Sequence, residues 1–282
     1  MIHLINPIFL EQFKEYWYWT IFFNMKRNYN IFYIALDSEK DKISEMETWL
    51  QLTCLDYKRV EGVIVKSYSS VINYDRKTRL KKYGYDFLKS EIGCFLAHRK
   101  CWEKIARTDV PALIMESDVF LSNVELLKGI LDDIIESTNS DIVRLSGIFE
   151  NNEIIKRKVY TGSNGTEIYQ TLGDPVGAAG YFVFPNAAKL LLKFSESFFD
   201  PVDIFLSSVW VHKLRYRTIK PYPLCIRGPQ NQNSDINQIT MASSIGDRIK
   251  PKQSYQERLK IEVFRLKNDL KKILYLPFNF FK

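Results

Sequence analysis

Short apolar runs rich in β-branched and aromatic residues alternate along this chain with stretches patterned for helices. Asn30-Ile31-Phe32-Tyr33-Ile34-Ala35-Leu36 is continuous enough for a strand buried on both faces. From Ser38, a plausible N-cap, to Leu52, Ile43, Met46, Trp49 and Leu50 recur at helical spacing. Val60 to Val65 reads as a second strand, and residues 66–89, polar and basic with little periodicity, as a long loop. Ser90 opens a helix whose Cys94, His98, Cys101, Trp102 and Ile105 share a face. A strand at 112–115, a helix at Val124–Glu136 and a strand at Asp141–Leu145 follow. The Gly/Ala-rich run Gly177 to Phe184 then leads into a helix at Ala187–Phe194. Strands alternating with helices predict an α/β fold with a mainly parallel sheet.

In such a fold, ligands collect at the carboxyl ends of the strands. The run Pro111-Ala112-Leu113-Ile114-Met115 ends there in Glu116-Ser117-Asp118, two acids one residue apart. Two carboxylates are hard oxygen ligands suited to Mg²⁺ or Mn²⁺ carrying a diphosphate. The same eight residues also fit a strand that runs out into a solvated acidic turn, and alone they do not separate the two.

Composition removes several classes. A 46% hydrophobic chain of 282 residues has ample core material. Cys54, Cys94, Cys101 and Cys225 form no C-x-x-C pair, which argues against a zinc site or a disulfide framework and for a reducing compartment. The N-terminus lacks a basic stretch followed by an apolar run and cleavage site, so no targeting segment is expected. Tyr16 to Phe23 is strongly aromatic but too short to span a bilayer. Aromatics of this kind suit a membrane interface or a core equally.

The chain carries a net charge of +7, yet residues 248–282 alone hold 10 Lys or Arg against 3 acids. The basicity therefore belongs to the tail, and no nucleic-acid motif accompanies it, so no nucleic-acid partner is expected. Leu259, Val263, Leu266, Leu270 and Ile273 form an apolar seam on one helix, flanked by Arg258, Lys260, Arg265, Lys267, Lys271 and Lys272. The chain closes on Phe278, Phe280 and Phe281. This pattern suits an in-plane helix on an anionic membrane, a helix docked on its own domain, or a homodimer seam. Three regions follow: an aromatic lead-in at 1–29, a main domain at 30–245, and a basic amphipathic helix with an aromatic end at 246–282.

Ser90-Glu91-Ile92-Gly93-Cys94-Phe95-Leu96-Ala97-His98 resembles the G-E-[IV]-G-C-x-x-S-H segment of glycosyltransferase family 25, which includes bacterial lipooligosaccharide galactosyltransferases. In that family an apolar strand ending E-D-D follows about twenty residues later, where this chain has Glu116-Ser117-Asp118. The run Ala179 to Leu191, Pro201-Val202-Asp203, and the stretch from Pro223 to Ser234-Asp235-Ile236 are similar to further family blocks in the same order. Three departures from the pattern matter. Ala35 stands where the family has Asn, Ala97 where it has Ser, and Ser117 where it has the middle Asp.

The resemblance implies a GT-A-like, nucleotide-sugar-binding fold and an inverting, metal-dependent transferase. It would move galactose from UDP-galactose, in β-linkage, to a lipooligosaccharide or LPS-type acceptor anchored in the membrane. The enzyme would then be cytoplasmic and peripheral on the inner face of the cytoplasmic membrane. Asp118 is the expected ligand to Mn²⁺ or Mg²⁺, with Glu116 supporting it or holding the donor. Asp37, at the end of the first strand, His98 and Tyr181 are further donor-side candidates. His98 equally suits a satisfied core histidine. Asp203, Glu91 and Asp174 are candidate general bases, Asp203 first. Asp203 and Glu91 also fit helix-start roles. His212 is a remote candidate for a third metal ligand, and the basic run Arg76, Lys77, Arg79, Lys81 and Lys82 for a phosphate-lined cleft. The alternative is a catalytically decayed transferase fold that binds a glycan or nucleotide.

Overall fold

The computed structural model describes residues 29–121, 124–137, 140–147, 155–172, 177–226 and 253–280. The aromatic run Tyr16–Phe23, Asp174, the block at Ser234-Asp235-Ile236 and the closing phenylalanine side chains lie outside the described residues.

The chain begins with β1 (Asn30–Ala35), α1 (Lys40–Leu52), β2 (Tyr57–Glu61), α2 (Arg76–Tyr83), α3 (Lys89–Thr108), β3 (Ala112–Glu116) and β4 (Val119–Leu121). It continues with α4 (Val124–Glu136), β5 (Ile142–Arg144), β6 (Ile155–Thr161), β7 (Glu167–Leu172) and β8 (Gly180–Val183). Then come α5 (Pro185–Phe194), α6 (Val202–Ser207), α7 (Val209–His212), β9 (Tyr216–Lys220), β10 (Leu224–Ile226) and α8 (Tyr255–Phe280). Among the described residues the main sheet has the order β2-β1-β3-β8-β5-β9-β7-β6, and β10 pairs with β4 in a second, two-stranded sheet.

The expected α/β architecture and C-terminal helix are both present. β1 runs parallel to β2 and β3, and β5 runs parallel to β9. β8 enters between β3 and β5 antiparallel to both. Alternation along the central strands feeds two cores. Phe32, Ala112, Ile114, Tyr181 and Val183 pack with Ile92, Phe95, Trp102 and Ile105 of α3 on one face. Ile31, Tyr33, Leu113, Met115 and Phe182 pack with α1 and α4 on the other. Sheet strands buried on both faces read as unbroken apolar runs for this reason.

Three segments differ from the sequence expectation. The second strand lies at Tyr57–Glu61 rather than 60–65, because residues 62–65 leave the sheet to line a cleft. The 66–89 stretch holds α2, which has no apolar period to announce it. Local chemistry defines it instead. The Asp75 carboxylate accepts the Thr78 N–H at 2.9 Å, and Gly84 ends the helix at φ 73°. Polar residues 155–172 form the antiparallel pair β6/β7 at the sheet edge, where charged strands are the norm.

Arg79 does not line a phosphate cleft. Its guanidinium is buried, 3.8 Å from the Tyr83 ring centre and 4.0 Å from that of Phe87, and donates to the Phe199 carbonyl. Lys82 pairs with Asp200 at 2.8 Å, and Arg76 pairs with Asp86. Arg76, Arg79 and Lys82 thus fasten α2 to the body of the protein rather than line a phosphate cleft. Arg79→Lys keeps the charge but loses the planar stack, and is expected to lower stability by about 2 kcal/mol in urea denaturation.

α8 is the expected basic helix, opened by a reciprocal cap. Ser254 Oγ accepts the Glu257 N–H at 3.3 Å, and the Glu257 carboxylate accepts the Ser254 N–H at 2.8 Å. No helix among the described residues is long and apolar enough to cross a membrane.

Candidate active site

The carboxyl ends of β1 and β3 and the N-terminal half of α3 enclose a cleft of about 550 Å³. Glu39, Glu116, Ser117 and Asp118 line it, with Lys42 and Lys89 adding positive charge. α3 closes one wall because Gly93 lets it approach the loop at residues 62–65. A Cβ there would sit 2.1 Å from the Val63 carbonyl oxygen.

Glu116 is the last residue of β3 and is held from α3. Cys94 and His98, one turn apart, both reach its Oε1: Cys94 Sγ at 3.5 Å and His98 Nε2 at 3.1 Å. On the far side of the ring, His98 Nδ1 lies 2.8 Å from the Tyr181 hydroxyl, and Trp102 Nε1 donates to that same oxygen at 3.0 Å. A carboxylate only accepts, so a neutral His98 carries its proton on Nε2 and takes the Tyr181 O–H at Nδ1. Burial pushes the Glu116 pKa up, but the bonds from His98 and Cys94 outweigh it and leave the carboxyl below its ordinary value. Burial, and then the Glu116 charge, push the Cys94 thiol well up, so it stays a protonated donor.

Asp118 sits two residues further on, in the turn after β3. Burial first and the Glu116 charge second raise its pKa to about 6. Its Oδ1 is buried and has no hydrogen-bond partner. An ionised oxygen in that position lacks a cation or a donor.

Glu39 is a site residue that the sequence does not announce, because it falls within the helix-patterned stretch Ser38 to Leu52. It precedes α1 and supplies a third carboxylate. Glu39 accepts the Leu36 N–H at 2.9 Å, the Lys42 ammonium at 2.6 Å and the Ser117 hydroxyl at 3.2 Å. Its signal was an acid just beyond the carboxyl end of the first strand. The Ser117 contact also accounts for the missing middle acid, since a carboxylate at 117 would face that of Glu39. Ala35 and Ala97, two further departures from the family pattern, line the same cleft.

The remaining candidates are placed as follows. Asp37 is exposed and pairs with Arg59 at 2.7 Å, outside the cleft lining. His98 and Tyr181 are buried behind Glu116, and of the two only His98 touches the cleft. The Glu91 carboxylate accepts the Leu88 N–H at 2.8 Å and so ties down the start of α3. Asp203, in the first turn of α6, accepts N–H groups from Ile204 at 2.8 Å and Gly177 at 3.4 Å. Its pKa is raised, because burial outweighs those two bonds, and the Glu116 charge adds to the rise. His212 is a core histidine. Its Nε2 faces the Leu206 carbonyl, its Nδ1 accepts the Leu214 N–H, and burial lowers its pKa to about 4. Among the described residues, the Cys, His and acid groups able to converge within 4.8 Å are Cys94, His98 and Glu116.

Tyr181→Phe tests the relay behind Glu116. It leaves the Trp102 N–H and His98 Nδ1 unsatisfied in a buried site. A loss of about 2 kcal/mol in thermal or urea denaturation is expected. Retention of full stability would mean that the chain from Trp102 to Glu116 is not formed.

No curated protein matches this chain. Among solved structures, a similar one is the crystal structure of a glycosyltransferase involved in the glycosylation of the major capsid of PBCV-1. That match has 11% identity and a TM-score of 0.36, and covers 68% of this chain and 81% of that one. The profile of glycosyltransferase family 25, described as an LPS biosynthesis protein, matches residues 28–206. This span runs from β1 through α6 and takes in the cleft, the helix that walls it and Asp203. The chain therefore belongs to glycosyltransferase family 25.

Proposed function

We propose that the protein transfers galactose from UDP-galactose to a membrane-anchored oligosaccharide of the LPS type, with inversion and with the help of Mn²⁺ or Mg²⁺. The observation that carries this reading is Asp118. Asp118 lines a cleft that also holds Glu39 and Glu116, and one of its carboxylate oxygens is buried without a partner. Carboxylates are the ligand type a hard divalent cation takes, and the three acids line the cleft without all lying within 4.8 Å of one another. Asp118 would hold the ion directly and Glu116 would support it. When bound, the ion supplies Lewis-acid stabilisation of the charge on the departing diphosphate.

The protein's own groups account for the rest. Lys42 and Lys89 draw the negatively charged donor into the cleft. His98 and Cys94 keep Glu116 ionised and in one orientation. Asp203 lies outside the cleft lining but near enough to Glu116 to feel its charge, and it would accept the proton of the acceptor hydroxyl as that oxygen attacks the anomeric carbon. Glu91 serves as the start of α3 rather than as the base.

The test is a donor screen with UDP-galactose, UDP-glucose and their N-acetylated relatives, with and without Mn²⁺. Turnover with UDP-galactose that stops in EDTA is expected. Full activity in EDTA would remove the metal from the reading. Ser117 in place of an acid favours a second reading, a decayed transferase that only binds. That reading predicts no turnover with any donor, even where calorimetry detects UDP binding.

A further inference from the structure

We infer that the outward face of α8 is a docking surface for an anionic phospholipid membrane. This surface lies outside the cleft, and the inference does not depend on the transfer reaction.

α8 is attached to the body of the protein by one side. Ile261 is buried, Arg265 Nε donates to the Lys82 carbonyl at 2.9 Å, and the Lys213 ammonium lies 3.8 Å from the Tyr275 ring centre. Lys272 reaches the Trp210 ring, and Gln253, just before the helix, donates to the Gly84 carbonyl. Positions 261, 265, 268, 272 and 275 share one face of a helix. The apolar seam occupies the opposite face, where Leu266 is 60% exposed, Leu270 48% and Ile273 60%. Docking on its own domain therefore leaves the seam unburied, which the seam's spacing alone did not reveal.

Charge identifies the occupant. Lys260, Lys267 and Lys271 fall together on one flank of the stripe. A groove of about 760 Å³ opens beside it, lined by Leu80, Val263 and Phe264 together with Lys81, Lys260 and Lys267. An apolar stripe beside ammonium groups matches the acyl chains and anionic headgroups of a bilayer surface. Within α8 itself 6 basic side chains face 3 acidic ones, so a second copy of the helix would meet net like charge while an anionic membrane complements it.

The full-length protein is to be sedimented with vesicles of phosphatidylglycerol mixed with phosphatidylcholine, and with vesicles of phosphatidylcholine alone. Binding to the anionic vesicles, weakened by salt, is expected. The triple variant Lys260→Ser/Lys267→Ser/Lys271→Ser should bind them roughly a hundredfold more weakly. Leu266→Asp/Leu270→Asp should weaken binding by about tenfold or more. Both sets lie at exposed positions, so circular dichroism melting should be unchanged, and Lys58→Ser on β2 should bind as wild type. Equal binding to both vesicle types, or variants that bind as wild type, would overturn the inference. So would failure to bind vesicles at all. A dimer in analytical ultracentrifugation that Leu266→Asp/Leu270→Asp dissolves, with no vesicle binding, would instead assign the stripe to a second copy.

Discussion

Asp118→Asn is expected to lower sugar transfer by about a thousandfold or more, equivalent to roughly 4 kcal/mol of transition-state stabilisation. Asn keeps the size of the side chain but gives up the negative charge that a cation needs. Glu116→Gln should cost less turnover, since Glu116 Oε1 is already committed to Cys94 and His98. Wild-type turnover in Asp118→Asn would sink the metal assignment.

The same substitution has a second signature in metal-free protein. Asp118 rises from an ordinary 3.8 to about 6 on folding. At pH below about 4 the group is protonated in both states and its stabilising contribution is complete. As pH rises towards about 6, the unfolded chain gives up the proton while the folded protein keeps it. Above about 6 the contribution is lost, because the fold then holds a buried charge. Wild type should therefore lose about 2 kcal/mol relative to Asp118→Asn between pH 4 and pH 7. Urea denaturation in EDTA across that range reads the difference. A flat difference would mean that Asp118 is not buried as a charge.

Gly93→Ala is expected to destabilise the protein by about 2 kcal/mol, against the usual direction for a helix-interior glycine. Alanine is favoured there by about 1 kcal/mol on helix propensity. At Gly93 the added carbon meets the Val63 carbonyl at 2.1 Å. That neighbour is backbone, which yields less readily than a side-chain tip, and overpacking of this kind costs about 1–3 kcal/mol or more. Relief requires α3 to back away from the loop at 62–65. Cys94 and His98 ride on the same helix, so Glu116 would lose its alignment as well. Urea midpoints and UDP binding by calorimetry measure the two effects. A stabilised Gly93→Ala variant would show that the close approach is not real.

Much of this arrangement was legible beforehand. The buried strands announced themselves as apolar runs. Glu116 and Asp118 stood out because a strand end is short and local, so residues close in sequence stay close in space. α2 escaped notice because an aspartate cap and a buried arginine hold it, and neither leaves a periodic trace. β6 and β7 escaped because edge strands are polar by necessity.

The sequence by itself determined the α/β class, the order of its main elements, the acidic end of β3, the family, and an amphipathic basic helix at the end. Those follow from periodicity and local spacing, which one strand or helix carries alone. Tertiary structure decided which acids meet and what each one does. Glu39 joins the site from another strand end, Tyr181 and Trp102 orient His98 from behind, and Asp118 is left with an oxygen unpaired. It also decided which side of α8 faces outward. Contacts between residues far apart in sequence settle all of these, and no local pattern encodes them.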